Sequence, residues 1–144
     1  MLTIEQVQEE IIEEFSLFDD WMDKYALIIE QGNSLDKLDE KYKTPDNIIE
    51  GCQSRVWLQT DYIEGKLHFH AESDAVIVKG LLALVLKVFS GRTPDEIIAT
   101  KLHFLEDIGL TEHLSPTRSN GLLAVIKQIR FYAIAYKAKE QQSE

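Results

Sequence analysis

The feature that most constrains the fold is a change of hydrophobic period between residues 55 and 71. In the first run, Val56, Leu58, Thr60 and Tyr62 face one way, and Arg55, Trp57, Gln59 and Asp61 face the other. After a turn at Glu64 and Gly65, a second run alternates in the same way, with Leu67, Phe69 and Ala71 inward. This pattern predicts a β-hairpin. An isolated hairpin is only marginally stable in water, so this one must pack on helices. The sequence leaves open whether a third strand pairs beside it.

Helical periodicity precedes the hairpin. Thr3 and Gln6 have the spacing of a capping box, which predicts a helix with an apolar face of Ile4, Val7, Ile11 and Phe15. Ser16, with Asp19 three residues on, is expected to cap a second helix that ends at Gly32. Its apolar stripe is Phe18, Trp21, Met22, Tyr25 and Ile29. Residues 33–50 show weak periodicity and predict an irregular connection, long enough to suggest a functional loop.

Helices also follow the hairpin. The segment from Asp74 to Phe89 is apolar on nearly every side, which predicts a helix at the centre of the core that Gly91 ends. An N-cap, an N1 proline and a capping-box acid then open a short helix, at Thr93, Pro94 and Glu96. A long final helix has the face Leu122, Val125, Ile126, Ile129, Tyr132 and Tyr136. The prediction is a single α+β domain over residues 1–144, with helices packed on a small antiparallel β-sheet.

The charge of the chain argues against several partners. The net charge is −10, and residues 1–50 contain 14 acids against 4 lysines. An acidic surface repels phosphate, so nucleic acid and anionic membrane are poor partners. The acidic start lacks the positive charge of a secretory signal, and 74–89 is too short to cross a bilayer, so we expect a cytoplasmic protein. The acidic helices serve solubility, or dock a basic protein.

The 144 residues contain one cysteine, Cys52. An intramolecular disulfide and a cysteine-rich metal site within one chain are thereby excluded. Cys52 lies in the sequence Gly51-Cys52-Gln53-Ser54-Arg55, between the irregular connection and the first strand. A loop position exposes a thiol, and Arg55 is near enough along the chain to favour the thiolate. The alternatives at this point are an inert small hydrophobe and a reactive nucleophile.

The remaining candidates for functional residues are the four histidines and Arg118. A cysteine hydrolase needs a histidine base with an orienting group, and His68, His70, His103 and His113 stand in no recognisable signature. His68 and His70 have the spacing of a metal pair, but strand alternation alone explains them, so we favour neither metal nor hydrolase. Arg118 is predicted at the start of the last helix, where the macrodipole disfavours a cation; such exceptions mark functional positions or a solvated side chain.

Four segments resemble the SufE family of sulfur acceptors in order and spacing. The first is Gly51 to Trp57, which resembles the active-cysteine segment of that family. The others are 73–80 (SDAVIVKG), 90–94 (SGRTP) and 113–122 (HLSPTRSNGL). The resemblance covers the chain from the first helix to about Tyr136.

This resemblance implies a fold shared with IscU-type scaffolds and a sulfur-accepting role for Cys52. It implies a SufS-type cysteine desulfurase as donor, with pyridoxal phosphate on that partner and no cofactor on this chain. The implied recipient is a SufBCD-type scaffold complex, and a CsdA-type desulfurase is the alternative donor. The protein would be an accessory sulfur carrier rather than an enzyme, as a monomer or weak dimer. Gly51, Gln53, Ser54, Arg55, Asp74, Lys79 and Arg118 are expected around the cysteine or the docking surface.

Three other functions stay open. An iron–sulfur scaffold needs several thiolates, so one cysteine per chain would have to bridge copies. An adaptor would act by binding alone, through its acidic helices. A thiol hydrolase or redox enzyme would turn over small substrates without a partner.

Overall fold

The computed structural model describes residues 2–49 and 54–143. Seven α-helices and two β-strands follow one another in this part of the chain: α1 (Ile4–Ser16), α2 (Trp21–Asn33), β1 (Val56–Ile63), β2 (Lys66–Ser73), α3 (Val76–Phe89), α4 (Pro94–Ala99), α5 (Phe104–Asp107), α6 (Leu110–His113) and α7 (Pro116–Ser143). Two single 3-10 turns, Glu40–Tyr42 and Pro45–Asn47, interrupt the connection between α2 and β1. The α+β prediction is therefore confirmed.

The hairpin forms in the predicted register. β1 and β2 pair antiparallel from Val56 opposite Ser73 to Ile63 opposite Lys66. The turn places Glu64 at φ 51° and Gly65 at φ 79°, the left-handed pair that a two-residue hairpin turn requires. Single bridges extend both outer edges, Ile48 beside Trp57 and Arg92 beside Leu67. Among the described residues the sheet has two strands. The two single bridges take the place of the third strand that the sequence left open.

Helix α3 lies at the centre of the molecule, as its apolar composition predicts. Every residue from Gly80 to Leu86 is buried, on all faces of the helix. Helices α1, α2 and α7 and strand β2 all pack against it. The inward face of the hairpin, from Val56 to Ala71, joins this core. The hairpin therefore obtains its hydrophobic support from α3.

Helices α2 and α3 cross at very close range because two glycines meet. A Cβ atom built on Gly80 would lie 2.0 Å from the carbonyl oxygen of Ile28, and one built on Gly32 would lie 2.9 Å from the amide nitrogen of Gly80. Gly32 is therefore a packing residue inside α2 and does not end the helix, which continues to Asn33. Our prediction that Gly32 stops α2 was wrong.

The predicted start of α2 was also wrong. Ser16 is the last residue of α1, and its hydroxyl donates a 2.6 Å hydrogen bond to the carbonyl oxygen of Glu13 in that helix. The N-cap of α2 is Asp20, whose carboxylate accepts from the amide of Met22 at 2.9 Å. Met22 itself is 75% exposed and does not belong to the apolar stripe.

The predicted N-terminal caps of α1 and α4 agree with the structure, whereas the short helices α5 and α6 were not predicted. Thr3 with Gln6 and Thr93 with Glu96 each form a complete capping box. Helix α7 contributes Leu122, Val125, Ile126, Ile129 and Ala133 to the core. None of the helices in the described part of the chain is long and apolar enough to cross a membrane.

Candidate functional site

A cavity of about 590 Å³ lies where the beginnings of β1, α3 and α7 meet. Its walls are mostly apolar, and its polar members come from the ends of elements. The lining residues are Ser54, Val56, Ala75, Val76, Ile77, Val78, Leu81, Leu82, Ser115, Thr117, Arg118, Gly121, Leu122 and Val125. Two of the predicted site residues, Ser54 and Arg118, are thus brought together by elements more than 60 positions apart in sequence.

Arg118 lies in the first turn of α7, exposed to solvent. Its amide donates to the hydroxyl of Ser115 at 3.2 Å, and the amide of Ser119 donates to the Ser115 carbonyl at 2.9 Å. Ser115 thereby caps the helix. Arg118 thus lines the cavity from the end of the helix that disfavours a cation.

Arg55 and Asp74 are joined at the entrance to the hairpin. The amide of Arg55 donates to the Asp74 carboxylate at 3.1 Å, and the amide of Asp74 donates to the Arg55 carbonyl at 3.3 Å. Both side chains are exposed. This pair fixes the chain that leaves Ser54 against the chain that enters α3.

The other side of the same segment is anchored by a network that the sequence analysis missed. The amide of Ile49 donates to the carbonyl of Val56 at 2.9 Å. Lys43 forms a 2.5 Å ion pair with Glu72 of β2, and the amide of Leu38 donates to the same carboxylate at 3.2 Å. The hydrogen bond to Glu72 raises the pKa of Lys43, and the bond from Lys43 lowers the pKa of Glu72. The long connection is thus held to the hairpin by one short-range contact, at Ile49, and by two contacts to Glu72 from residues about 30 positions away.

The remaining predicted site residues are placed less directly. Gly51, Cys52 and Gln53 lie outside the described residues. Lys79 does not line the cavity; it lies in α3, where its charge adds to the effect of Lys43 in lowering the pKa of Glu72. Its role in docking stays a prediction.

The histidine pair lies on the outer face of the hairpin. His70 is exposed and has its Nε2 3.5 Å from the carboxylate of Asp61, on the neighbouring strand. His103 has a different environment: Nδ1 is 2.5 Å from Asp107 and Nε2 is 2.7 Å from Glu5. Together with Glu5 and Glu9, His103 forms the one cluster of three possible metal ligands among the described residues. His103 thus pairs with Asp107 within the first turn of α5, and with Glu5 of α1.

These ion pairs predict a pH dependence of stability. The hydrogen bonds to Asp107 and then Glu5 raise the pKa of His103 above its ordinary 6.5. The stabilisation is therefore complete below about pH 6.5 and is lost as the pH rises through the folded-state pKa. We expect His103→Gln to remove this decline, a difference of about 1–3 °C in Tm because the pairs are solvent-screened. Thermal melts from pH 6 to 9 measure it; equal slopes for both proteins would contradict the assignment.

Comparison with known proteins agrees with this architecture. The sequence matches the SufE family, described as an Fe-S metabolism associated domain, over residues 9–133. An uncharacterized SufE-like protein of Rhizobium etli is 43% identical over 127 residues, covering 85% of this chain and 86% of the relative. A second, from Rhizobium meliloti, is 43% identical over 129 residues, covering 85% and 91%.

A solved structure has the same fold. The solution structure of a hypothetical protein from Thermus thermophilus superposes with a TM-score of 0.72 at 18% identity, covering 90% of this chain and 94% of that one. A two-stranded hairpin packed on a buried helix, with a cavity at the start of both, thus defines an α+β domain of a known type. The chain belongs to the SufE family and is a protein of iron–sulfur metabolism.

Proposed function

We propose that this chain, as one domain over residues 1–144, is a sulfur acceptor and carrier for iron–sulfur cluster assembly, with Cys52 as the persulfide-accepting residue. One observation carries the proposal. Ser54, two residues after the chain's one cysteine, lines a cavity whose wall also contains Arg118. Membership of a family of iron–sulfur metabolism supports it independently.

The transfer is an exchange at sulfur. The Cys52 thiolate attacks the terminal sulfur of the donor's cysteine persulfide, the S–S bond of the donor breaks, and the donor cysteine leaves as a thiolate. The sulfane sulfur and its proton pass to Cys52, and no net oxidation or reduction occurs. The rate depends on the fraction of Cys52 that is ionised and on the pKa of the donor thiol that leaves, as in disulfide exchange. A single cysteine suffices, because the second thiol belongs to the partner.

The proposal includes a protective role for the cavity that Ser54 lines. Val56, Leu82 and Leu122 give the cavity apolar walls, and Ser54 and Arg118 give it polar groups. Apolar walls beside the persulfide would hinder the approach of small polar thiols. We expect the persulfide on the folded protein to lose its sulfur to glutathione more slowly than the same persulfide on the urea-unfolded chain. Loss at equal rates, followed by mass spectrometry, would contradict the protective role.

The proposed partners are those that the resemblance to the SufE family implies. The donor is a SufS-type cysteine desulfurase, which holds the pyridoxal phosphate, and the recipient is a SufBCD-type scaffold; a CsdA-type desulfurase is the alternative donor. The chain acts in the cytoplasm as an accessory protein that stimulates its donor and has no cofactor of its own, as a monomer or weak dimer. Gly51, Gln53, Arg55, Asp74 and Lys79 surround the cysteine or form the docking surface.

Intact-protein mass spectrometry tests the proposal. The protein is incubated with a SufS-type desulfurase, pyridoxal phosphate and cysteine, and in parallel with a CsdA-type enzyme. We expect a gain of one sulfur mass that reductant removes. A gain with one donor alone identifies the physiological type. No gain with either donor, when each is shown to be active in the same tube, would overturn the carrier function.

Arg118→Ala tests the cavity cation. If Arg118 favours the Cys52 thiolate or contacts the donor, its loss should slow sulfur uptake by about three- to tenfold, the effect of a modest change in thiolate fraction. The Tm should stay within about 2 °C, because the side chain is exposed. Lys127→Ala, which removes an exposed cation from the same helix, is the control. Unchanged uptake in Arg118→Ala would remove Arg118 from the site.

A further inference from the structure

Two aromatic residues of α2 hold the chain that leads into α7. The indole of Trp21 stacks on the imidazole of His113, with ring centroids 3.7 Å apart and planes 18° from parallel. One turn later on the same face of α2, the hydroxyl of Tyr25 donates to the carbonyl of His113 at 3.0 Å. Trp21 also packs on the backbone at Gly109, where an added Cβ would lie 3.2 Å from the indole. We call Trp21, Tyr25 and His113 the aromatic clasp.

The clasp lies next to Ser115, which holds the backbone of Arg118. Ser115, the residue that caps α7 and receives the amide of Arg118, follows His113 by two positions. Leu114 is half-buried against the core, whereas Ser115, Thr117 and Arg118 are exposed and line the cavity. Burial alone therefore does not set the position of this turn. The stack and the hydrogen bond add a fixed point on its N-terminal side.

We propose that Trp21 and Tyr25 are positioning residues: through the stack on His113 and the bond to its carbonyl, they hold the first turn of α7 so that Arg118 lines the same cavity as Ser54, which follows Cys52 by two positions in sequence. The inference rests on the proposed function, since it names what positions a residue of that same site. It also gives α2 a role besides packing on α3. The role differs from partner docking, because it acts through Arg118.

A double-mutant cycle on Cys52 reactivity tests the inference without any partner protein. The rate of alkylation of Cys52 by iodoacetamide at pH 7 is measured in the wild type, Trp21→Leu, Arg118→Ala and the double variant. We expect each single change to slow alkylation by about three- to tenfold, and the double variant to react no more slowly than Arg118→Ala. A purely structural effect of Trp21 would instead multiply with that of Arg118.

Two further variants keep the test decisive if Trp21→Leu proves unstable. Tyr25→Phe removes one hydroxyl while the ring stays, and should show the same non-additivity at a smaller amplitude. Trp21→Phe retains an aromatic face and should restore most of the rate. Phe131→Leu is the control: this exposed aromatic lies 13 residues after Arg118 on α7, about 20 Å along the helix, and should change nothing.

The outcomes separate the inference from the proposed function. Non-additive alkylation rates support the clasp even if mass spectrometry shows no sulfur uptake, in which case the carrier function alone fails. Multiplying effects of Trp21→Leu and Arg118→Ala would overturn the clasp. Normal alkylation in Arg118→Ala would overturn it as well, because the inference takes Arg118 to act on the Cys52 thiolate rather than on the donor.

Discussion

Gly80→Ala is expected to destabilise the protein by at least about 3 kcal/mol, although alanine favours helix more than glycine by about 0.5–1 kcal/mol. The added methyl would lie 2.0 Å from the carbonyl oxygen of Ile28 and 2.6 Å from its Cγ2. The first of these atoms belongs to the backbone and is not free to rotate away. Helices α2 and α3 would have to separate, which opens a fully buried contact at the centre of the fold. Thermal and urea melts should show Tm lower by roughly 10 °C.

Gly65→Ala is the matched control for this substitution. Gly65 lies in the hairpin turn at φ 79°, and an added Cβ would have nothing within 4 Å. Its replacement therefore measures backbone strain without a clash, about 1 kcal/mol. If Gly80→Ala were no more destabilising than Gly65→Ala, the close crossing of α2 and α3 would be wrong.

The close contact between Gly32 and Gly80 shows which kind of feature could not be predicted from the sequence. Local signals predicted the hairpin register, the turn, two capping boxes and the central helix, because each depends on residues within a few positions of one another. A glycine near the end of an apolar stripe is also a local stop signal, and it misled us at Gly32. Its actual reason, close approach to Gly80, involves a residue 48 positions away.

The predicted start of α2 was wrong for a related reason. Ser16 and Asp20 are both good N-cap residues, and their propensities do not distinguish them. The structure selects Asp20 because α1 continues through Ser16, whose hydroxyl is already engaged with Glu13. Buried Gln8 was missed as well. Its side-chain oxygen accepts from the amides of His103 and Phe104 at 2.9 and 3.1 Å, nearly 100 positions away.

The candidate site was predictable in part. Arg118 stood out in the sequence because it breaks the helix-dipole rule, and it does line the cavity with Ser54. The Lys43–Glu72 ion pair and the aromatic clasp left no local signal, since each joins ordinary side chains of distant segments. Residue types that break a local rule are visible in a sequence, whereas contacts that satisfy ordinary rules at long range are not.

Cys52→Ser should reduce sulfur uptake to background. It removes the one thiol among 144 residues, and a serine hydroxyl neither ionises near neutral pH nor forms a persulfide. The substitution changes one atom and keeps the size of the side chain nearly constant, so we expect the melting curve to match that of the wild type. Mass spectrometry after incubation with an active desulfurase measures the uptake, and Arg118→Ala provides an intermediate case with the thiol retained.

The effect of Cys52→Ser on the donor decides between a carrier and an adaptor. If this chain stimulates a desulfurase by removing its persulfide, stimulation must disappear with the thiol, because turnover then depends on an acceptor for each sulfur. If it acts by binding alone, the serine variant should stimulate as well as the wild type. Desulfurase turnover at saturating cysteine, measured with either protein, separates the two. Full stimulation by the serine variant would show that binding, rather than sulfur exchange, stimulates the donor.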